Sequence, residues 1–254
     1  GTTTANVINV APAVQGVHII LDNVSIDVSG ISTTDPRYSI CAFDIGDGAE
    51  VDLTLSGETT NTFRSGIGKA GIRVEKPVSG TAATLTIQGL GTLHAIGGSG
   101  GPDYWLTGSG AGLGSNGIIW SAATIPSGGN IIINSGTIHA TGGAGTAYSG
   151  AGIGGGGGGG EMYGSNAGNT IIHGGTVIAT GGSGSYSGAG IGGGPGSHSG
   201  TMGTVLIDGG TVTARSGNGS YNSSGIGYGN ANAVNLVRTD PASITITGTA
   251  IVTA

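Results

Sequence analysis

The sequence is poor in charged residues, in aromatic residues and in cysteine. Charged residues make up 8% and aromatic residues 4% of the 254 residues, which excludes a charge-rich disordered chain. The single cysteine, Cys41, excludes an internal disulfide framework, and its apolar neighbours predict a buried thiol. No run approaches the roughly 20 apolar residues of a membrane-spanning helix, and no signal peptide is evident. We therefore expect no membrane insertion.

Proline is also scarce, with 7 residues beside 59 glycines. Collagen needs a strict glycine at every third position together with abundant proline, so it is excluded. Isoleucine, valine, threonine and alanine fill the gaps between the glycines, and β-branched residues favour strands. No segment shows helical periodicity. The composition therefore predicts an all-β protein.

The charged residues are concentrated at one end of the chain, which has a formal net charge of −6. Nine of the 13 acidic residues and five of the seven basic residues precede Pro77. We interpret 1–76 as divergent, charge-rich N-terminal rungs and 77–254 as regular glycine-rich repeats of the same domain. Because no basic stripe is present, nucleic acid is not an expected partner.

A repeated unit determines the predicted fold. Its strand pattern occurs four times, the first time with one extra residue, at 85–95 (LTIQGLGTLHA), 131–140 (IIINSGTIHA), 170–179 (TIIHGGTVIA) and 205–214 (VLIDGGTVTA). Each copy is followed by a glycine-rich stretch and a second pattern, found at 110–114 (GAGLG), 150–156 and 188–194 (both GAGIGGG) and 224–229 (SGIGYG). Divergent copies precede these repeats, and a shortened one follows them.

Equivalent apolar residues of successive repeats are expected to stack. Alternate residues of a strand face opposite sides, and the constant small alanine, as at Ala179, indicates an inward position. Three columns result: Ile87, Ile133, Ile172 and Ile207; Leu93, Ile138, Val177 and Val212; Leu113, Ile153, Ile191 and Ile226. One repeat cannot bury its apolar face alone, whereas stacked repeats can. We predict a right-handed parallel β-helix, a solenoid of about six to seven rungs with glycine-rich loops, as one domain over 1–254.

The GGTVTA-like strands, combined with GAGIGGG at 150–156 and 188–194, resemble repeats in large secreted surface proteins of Gram-positive bacteria. More broadly, the pattern resembles the pectin-lyase-like right-handed β-helices. The resemblance covers about 17–254 and implies an extracellular setting, with adhesion or glycan contact, but no catalytic motif. The chain starts at Gly1 without methionine and stops at Ala254 within a strand pattern. We therefore expect further domains in a larger bacterial surface protein.

Residues suited to catalysis or metal binding are few in the regular repeats. Glycan hydrolysis needs two carboxylates about 5–10 Å apart, whereas the charged residues there are only Asp103, Glu161, Asp208, Arg215, Arg238 and Asp240. We predict no catalytic residue, no metal site and no cofactor. The best calcium or catalytic candidate is an acidic group that lacks a full EF-hand pattern, namely Asp44, Asp47, Glu50 and Asp52. Calcium binding there is left open.

Aromatic residues recur just before the glycine-rich pattern and supply the candidate ligand-binding residues. They are Tyr104, Trp105, Tyr148, Tyr186 and Tyr221. Parallel stacking carries equivalent positions to one edge, where rings can contact sugars; the alternative is that each ring caps its own loop. His94 and His139 share a repeat position and are predicted to be stacked outward-facing neighbours, about 4.8 Å apart. They complete the candidate site.

These observations favour a non-catalytic extracellular adhesion or carbohydrate-binding module on a bacterial surface protein. Its expected partner is a glycan or another host or cell-surface ligand. Two alternatives remain at the level of the sequence. One is a polysaccharide-active β-helix enzyme, a lyase or glycosidase, and the other is an inert structural stalk.

Overall fold

The computed structural model describes residues 6–31, 39–101, 107–119, 125, 127–160, 163–230 and 242–254. Across these residues, 22 short strands form three parallel sheets, and no helix is present. The predicted all-β parallel solenoid is thereby confirmed, and the described residues form seven rungs. Each turn, or rung, contributes one strand to each sheet, so neighbours in a sheet come from successive rungs.

The strands follow one another in each sheet in chain order. The first sheet contains β1 (Ile8–Val10), β4 (Phe43–Ile45), β7 (Ile72–Lys76), β10 (Leu113–Gly114), β14 (Ile153–Gly154), β17 (Ile191–Gly192) and β20 (Ile226–Gly227). The second contains β2 (Val17–Leu21), β5 (Glu50–Leu55), β8 (Thr84–Gly89), β12 (Asn130–Ile133), β15 (Asn169–Ile172), β18 (Thr204–Ile207) and β21 (Ser243–Ile246). The third contains β3 (Ser25–Asp27), β6 (Thr60–Arg64), β9 (Thr92–Ile96), β13 (Thr137–Thr141), β16 (Thr176–Thr180), β19 (Thr211–Arg215) and β22 (Ile251–Thr253). A short strand, β11 (Ser127–Gly128), pairs antiparallel with β7.

The register of the sheets confirms the three predicted apolar columns. Ile133 pairs with Ile87 on one side and with Ile172 on the other. Ile138 pairs with Leu93 and Val177 in the same way. All six side chains are fully buried, because the rungs above and below cover them. The core is therefore a set of parallel columns that run along the solenoid.

The glycine-rich pattern allows neighbouring rungs to approach closely. A Cβ atom at Gly152 would lie 2.6 Å from the Thr180 nitrogen and 2.7 Å from the Gly190 carbonyl oxygen, so no side chain fits. Gly154 has a φ of +127°, a conformation that other residues rarely adopt. These glycines shape the corners at which the chain leaves the short strands of the first sheet.

The N-terminal rungs are filled by larger side chains and by one amide. Phe43 and Phe63 pack with their ring centroids 5.4 Å apart. Asn61 is fully buried in the column that continues through Leu93. Its Oδ1 accepts the Val24 N–H at 2.9 Å, and its Nδ2 donates to the Thr92 carbonyl at 3.3 Å. The amide thus connects two neighbouring rungs from inside the core.

Candidate functional site

Three of the predicted aromatic residues form a file at the corner between the third and first sheets. Tyr148, Tyr186 and Tyr221 lie in parallel register on successive rungs. The Tyr148 and Tyr186 rings stack with centroids 5.0 Å apart and planes at 27°. The Tyr186 and Tyr221 rings stack at 4.8 Å and 9°. The repeat therefore brings these side chains together, and we refer to them as the tyrosine file.

Two buried serines at equivalent positions of their rungs bond to the backbone beneath the tyrosine file. The Ser109 hydroxyl donates to the Tyr148 carbonyl at 3.3 Å, and the Ser187 hydroxyl donates to the Tyr221 carbonyl at the same distance. Both serines are fully buried. Because these bonds join neighbouring rungs, they fix the spacing at which the rings stack.

Exposure rises along the tyrosine file from Tyr148 to Tyr221. Tyr148 is 7% exposed and Tyr221 is 54% exposed, with Tyr186 between them. Both faces of Tyr186 are covered by its neighbours in the file, so its edge is what it can offer a ligand. Burial, and then the adjacent Tyr221, raise the pKa of the Tyr186 hydroxyl above its usual value. Tyr221 ends the file and presents the most accessible ring.

The other end of the file is closed by glycine. The Ser109 N–H donates to the Tyr148 carbonyl, in the same way that the Ser149 N–H donates to the Tyr186 carbonyl. Ser109 is therefore equivalent to Ser149. Gly108, which precedes Ser109, thus occupies the position of the tyrosine in the rung before Tyr148. A Cβ atom at Gly108 would lie 1.9 Å from the Gly157 carbonyl oxygen. A neighbouring backbone thus occupies the space of a ring. Tyr104 and Trp105, which were predicted to extend the file, lie outside the described residues.

His94 and His139 lie on the outer face of the third sheet, away from the corner that carries the tyrosine file. They are paired in the strand register, and their rings stack at 4.6 Å with planes at 15°, close to the predicted spacing. Burial, and then the charge of His94, lower the pKa of His139. The neutral form of the His139 ring is therefore favoured.

A further stacked pair has no counterpart in the repeat pattern. The Tyr163 and His198 rings lie 4.4 Å apart at 21°, and Tyr163 is 47% exposed. These residues belong to loops of different length in successive rungs, joined by the Gly164 N–H to the His198 carbonyl. Their unequal spacing from the glycine-rich pattern is the reason that sequence reasoning missed them.

The acidic group near the N-terminus is organised around one arginine. Arg73 forms ion pairs with Asp44, Asp47 and Glu75, and it is 19% exposed. Burial disfavours the charge of Arg73, but Glu75 and Asp44 outweigh it and raise the pKa of the guanidinium. Asp52, another residue of the predicted acidic group, does not contact Arg73 and lies 3.5 Å from His18. The arrangement gives these carboxylates internal partners.

In the described part of the chain, no group of three or more His, Cys, Asp or Glu side chains is placed to hold a metal ion. Within the same residues, no helix is long and apolar enough to cross a membrane. His173 and Asp208 form an exposed pair, with Nδ1 and Oδ1 2.8 Å apart. The pair connects two rungs of one outward column.

Comparison with known proteins identifies no relative. No protein-family model matches the chain, and neither the curated proteins nor the solved structures give a match. The fold and the site therefore define the chain only as a parallel β-solenoid with a stacked tyrosine file. The resemblance to Gram-positive surface proteins and to pectin-lyase-like β-helices rests on the repeat pattern alone.

Proposed function

We propose that the chain is a non-catalytic carbohydrate-binding or adhesion module of an extracellular bacterial surface protein, and that it contacts its ligand at Tyr186 and Tyr221. The observation that carries the proposal is the tyrosine file itself, which places three stacked rings along one corner of the solenoid, with the Tyr221 ring 54% exposed. An exposed tyrosine combines an apolar face, which suits the C–H groups of a sugar, with a hydroxyl that hydrogen-bonds.

Exposed polar side chains on the same loops support the choice of a glycan. Ser185, Asn218 and Asn222 are exposed on the loops that carry the tyrosine file. Hydroxyl and amide groups of this kind donate to and accept from sugar hydroxyls, while the ring excludes water from one sugar face. Since both faces of the Tyr186 ring are covered within the file, the proposal gives face contact to Tyr221 and edge or hydroxyl contact to Tyr186.

The repeat pattern and the charge distribution support the remaining parts of the proposal. The resemblance to secreted Gram-positive surface proteins favours an extracellular location, further domains in the parent protein, and a glycan or other host or cell-surface ligand. The carboxylates Asp44, Asp47 and Glu75 are paired with Arg73, an arrangement that supports a structural role for them rather than acid–base chemistry.

The test is binding to a glycan array, followed by calorimetric titration of each hit with Tyr221 variants. Tyr221→Ala should weaken binding by up to about tenfold, because one aromatic contact contributes about 0.5–1.5 kcal/mol. Tyr221→Phe should retain most of the affinity if face contact dominates. Tyr163→Ala is the matched control, since it removes an exposed stacked tyrosine at another place on the surface.

Thermal unfolding separates a ligand contact from a loop cap. Tyr221→Ala removes an exposed ring and should lower the melting temperature by only a few degrees. Unchanged affinity with a much lower melting temperature would identify the rings as loop caps and contradict the proposal. Equal loss of affinity in Tyr221→Ala and Tyr163→Ala would show binding that is not specific to this edge.

A further inference from the structure

The tyrosine file brings phenol rings from different rungs into direct contact. Tyr186 and Tyr221 pair in parallel register, and their rings stack with centroids 4.8 Å apart and planes at 9°. Because the backbones are in register and the rings are almost parallel, the two hydroxyl groups lie beside each other. The influence of Tyr221 on the pKa of the Tyr186 hydroxyl agrees with this placement. The carbons ortho to the two hydroxyls therefore face each other across the stack.

Main-chain hydrogen bonds hold these two residues together on both sides. The Tyr221 N–H donates to the Ser185 carbonyl at 2.9 Å, and the Ser187 N–H donates to the Tyr221 carbonyl at 3.1 Å. The hydroxyl of the buried Ser187 donates to the same carbonyl at 3.3 Å. The fold itself thus keeps the two rings at stacking distance.

The edge of the tyrosine file is accessible to small molecules. Tyr148 and Tyr221 cover both faces of the Tyr186 ring, yet Tyr186 remains partly exposed. A ring that is covered on both faces is exposed at its edge, which is where the hydroxyl and the ortho carbons lie. Tyr148, by contrast, is only 7% exposed. A one-electron oxidant can therefore reach Tyr186 and Tyr221 without any opening of the rungs.

We propose that Tyr186 and Tyr221 form an oxidative cross-linking site, at which hydrogen peroxide and a peroxidase join their ortho carbons by a carbon–carbon bond. Oxidation removes one electron and the hydroxyl proton from each phenol. Each phenoxyl radical shares its unpaired electron with its ortho carbons, so the two radicals couple there. The coupled carbons then release their protons and the two oxygens take protons back, which restores both hydroxyls. In total, two hydrogen atoms leave the protein and one peroxide becomes two water molecules.

The geometry favours this bond over a link between two chains. Radicals on stacked rings are already in contact, whereas radicals on separate chains must first diffuse together. Tilting about the side-chain bonds closes the remaining distance, and the 27° angle between the Tyr148 and Tyr186 rings shows that the file accommodates tilt. The product joins two successive rungs covalently. Like a disulfide, it restricts the unfolded chain and opposes separation of the two rungs.

Treatment of the purified chain with hydrogen peroxide and a peroxidase, at low protein concentration, tests the proposal. The mass of the monomer should fall by two hydrogen atoms, and proteolysis should release a joined peptide that contains Tyr186 and Tyr221. Dityrosine fluorescence follows the time course. Links that form mainly between chains, or through another tyrosine such as Tyr163, would overturn the proposal. An unchanged mass, in a reaction that couples free tyrosine, would overturn it as well.

Three phenylalanine substitutions give a matched set of variants. Tyr186→Phe and Tyr221→Phe each remove a hydroxyl but keep the stacked ring, so both should fold normally and lose the link. Tyr163→Phe removes the hydroxyl of a stacked tyrosine elsewhere on the surface and should cross-link like the unmodified chain. Circular dichroism checks that all three keep the sheet content. An unchanged yield in Tyr221→Phe, or an equal loss in Tyr163→Phe, would contradict the assignment of the site.

Thermal unfolding measures what the link does to the fold. The cross-linked chain should melt several degrees higher than the untreated chain, because the bond joins two rungs. Tyr221→Phe should melt at the same temperature before and after treatment, which controls for oxidation of other residues. A cross-linked chain that melts no higher than the untreated chain would contradict the stabilising role. These measurements need no glycan, so their outcome is independent of the proposed binding function.

Discussion

His139 is a residue whose surroundings alter its protonation. It lies in an outward column of the third sheet between His94 and Ile178, and its ring stacks on that of His94. Burial, followed by the charge of His94, lowers its pKa. The neutral form is therefore favoured in the folded chain relative to the unfolded chain.

A specific pH dependence follows from this lowered pKa. The unfolded chain gains a proton at His139 as the pH falls through about 6.5, whereas the folded chain gains it only at a lower pH. The stability contributed by a neutral His139 is thus fully present above about pH 6.5 and is lost as the pH falls through the folded-state pKa. His139→Gln should lose less stability than the unmodified chain between about pH 7.5 and about pH 5.

Urea unfolding of both proteins at the two pH values measures this difference, and an NMR titration of the His139 ring gives the folded-state pKa directly. The difference between the proteins reports His139 together with its interaction with His94, because the remaining titrating groups are the same. A titration midpoint at or above that of a histidine in a model peptide would contradict the prediction.

Cys41 and Asn61 show how much of the surroundings of a single residue could be predicted from the sequence. The apolar neighbours of Cys41 predicted a buried thiol; the residue as a whole is partly exposed, but desolvation of its thiol raises the pKa of that group to about 11. Asn61 was not predicted, because the N-terminal rungs lack a repeat that would reveal an inward polar position. Its role depends on the Val24 N–H and the Thr92 carbonyl, which belong to different rungs.

Among the elements, β7 carries charged side chains that contact the neighbouring rungs. Arg73 on this strand pairs with Asp44 on β4 and with Asp47 just beyond that strand. Glu75, on the same strand, accepts the Asn116 N–H at 2.7 Å from the following rung. Side chains of one strand thus connect three successive rungs.

Removing the guanidinium should therefore destabilise the chain. Arg73→Ala leaves three carboxylates without their shared partner, and the free energy of unfolding should fall by about 2–3 kcal/mol. Arg73→Lys should recover only part of this loss, because one ammonium cannot reproduce the three-way contact. Arg215→Ala, on the exposed end of β19, is the control and should change stability by less than about 0.5 kcal/mol.

Chemical denaturation provides the measurement for all three variants. Equal stability of Arg73→Ala and the unmodified chain would mean that the ion pairs contribute no net free energy. A similar loss in Arg215→Ala would attribute the effect to net charge rather than to the contacts of Arg73.

The regular elements were predictable because they repeat. Strand patterns at 131–140 and 170–179 share length and alternation, so their columns could be aligned before any contact was known. The tyrosine file followed from the same alignment. By contrast, the contacts of Arg73 and the pairing of Tyr163 with His198 depend on loops of unequal length, which no periodic pattern aligns.

At the scale of the whole molecule, the strands of each described rung pair with strands of the rungs directly above and below it. Stability is then close to a sum of the rungs and the interfaces between them. A central strand such as β13 has neighbours on both sides, whereas β22 has one. The ends of the solenoid are therefore the places where local opening costs the least free energy.

Hydrogen exchange should show this gradient along the chain. In β9 and β13, amides are held within a covered rung, and Leu93 and Ile138 are fully buried. In β21, by contrast, all four residues are exposed. We expect peptides from 242–254 to exchange faster than those from 92–96 and 137–141, because fraying of the last rung uncovers little additional apolar surface.

Mass spectrometry of exchange at low micromolar concentration measures the gradient in the monomer. The internal control is the exchange of 92–96 and 137–141, which should stay slow under the same conditions. Uniform protection at low concentration would show that the rungs unfold only together. The interfaces between rungs would then be so strong that no single rung, not even an uncovered one, opens on its own.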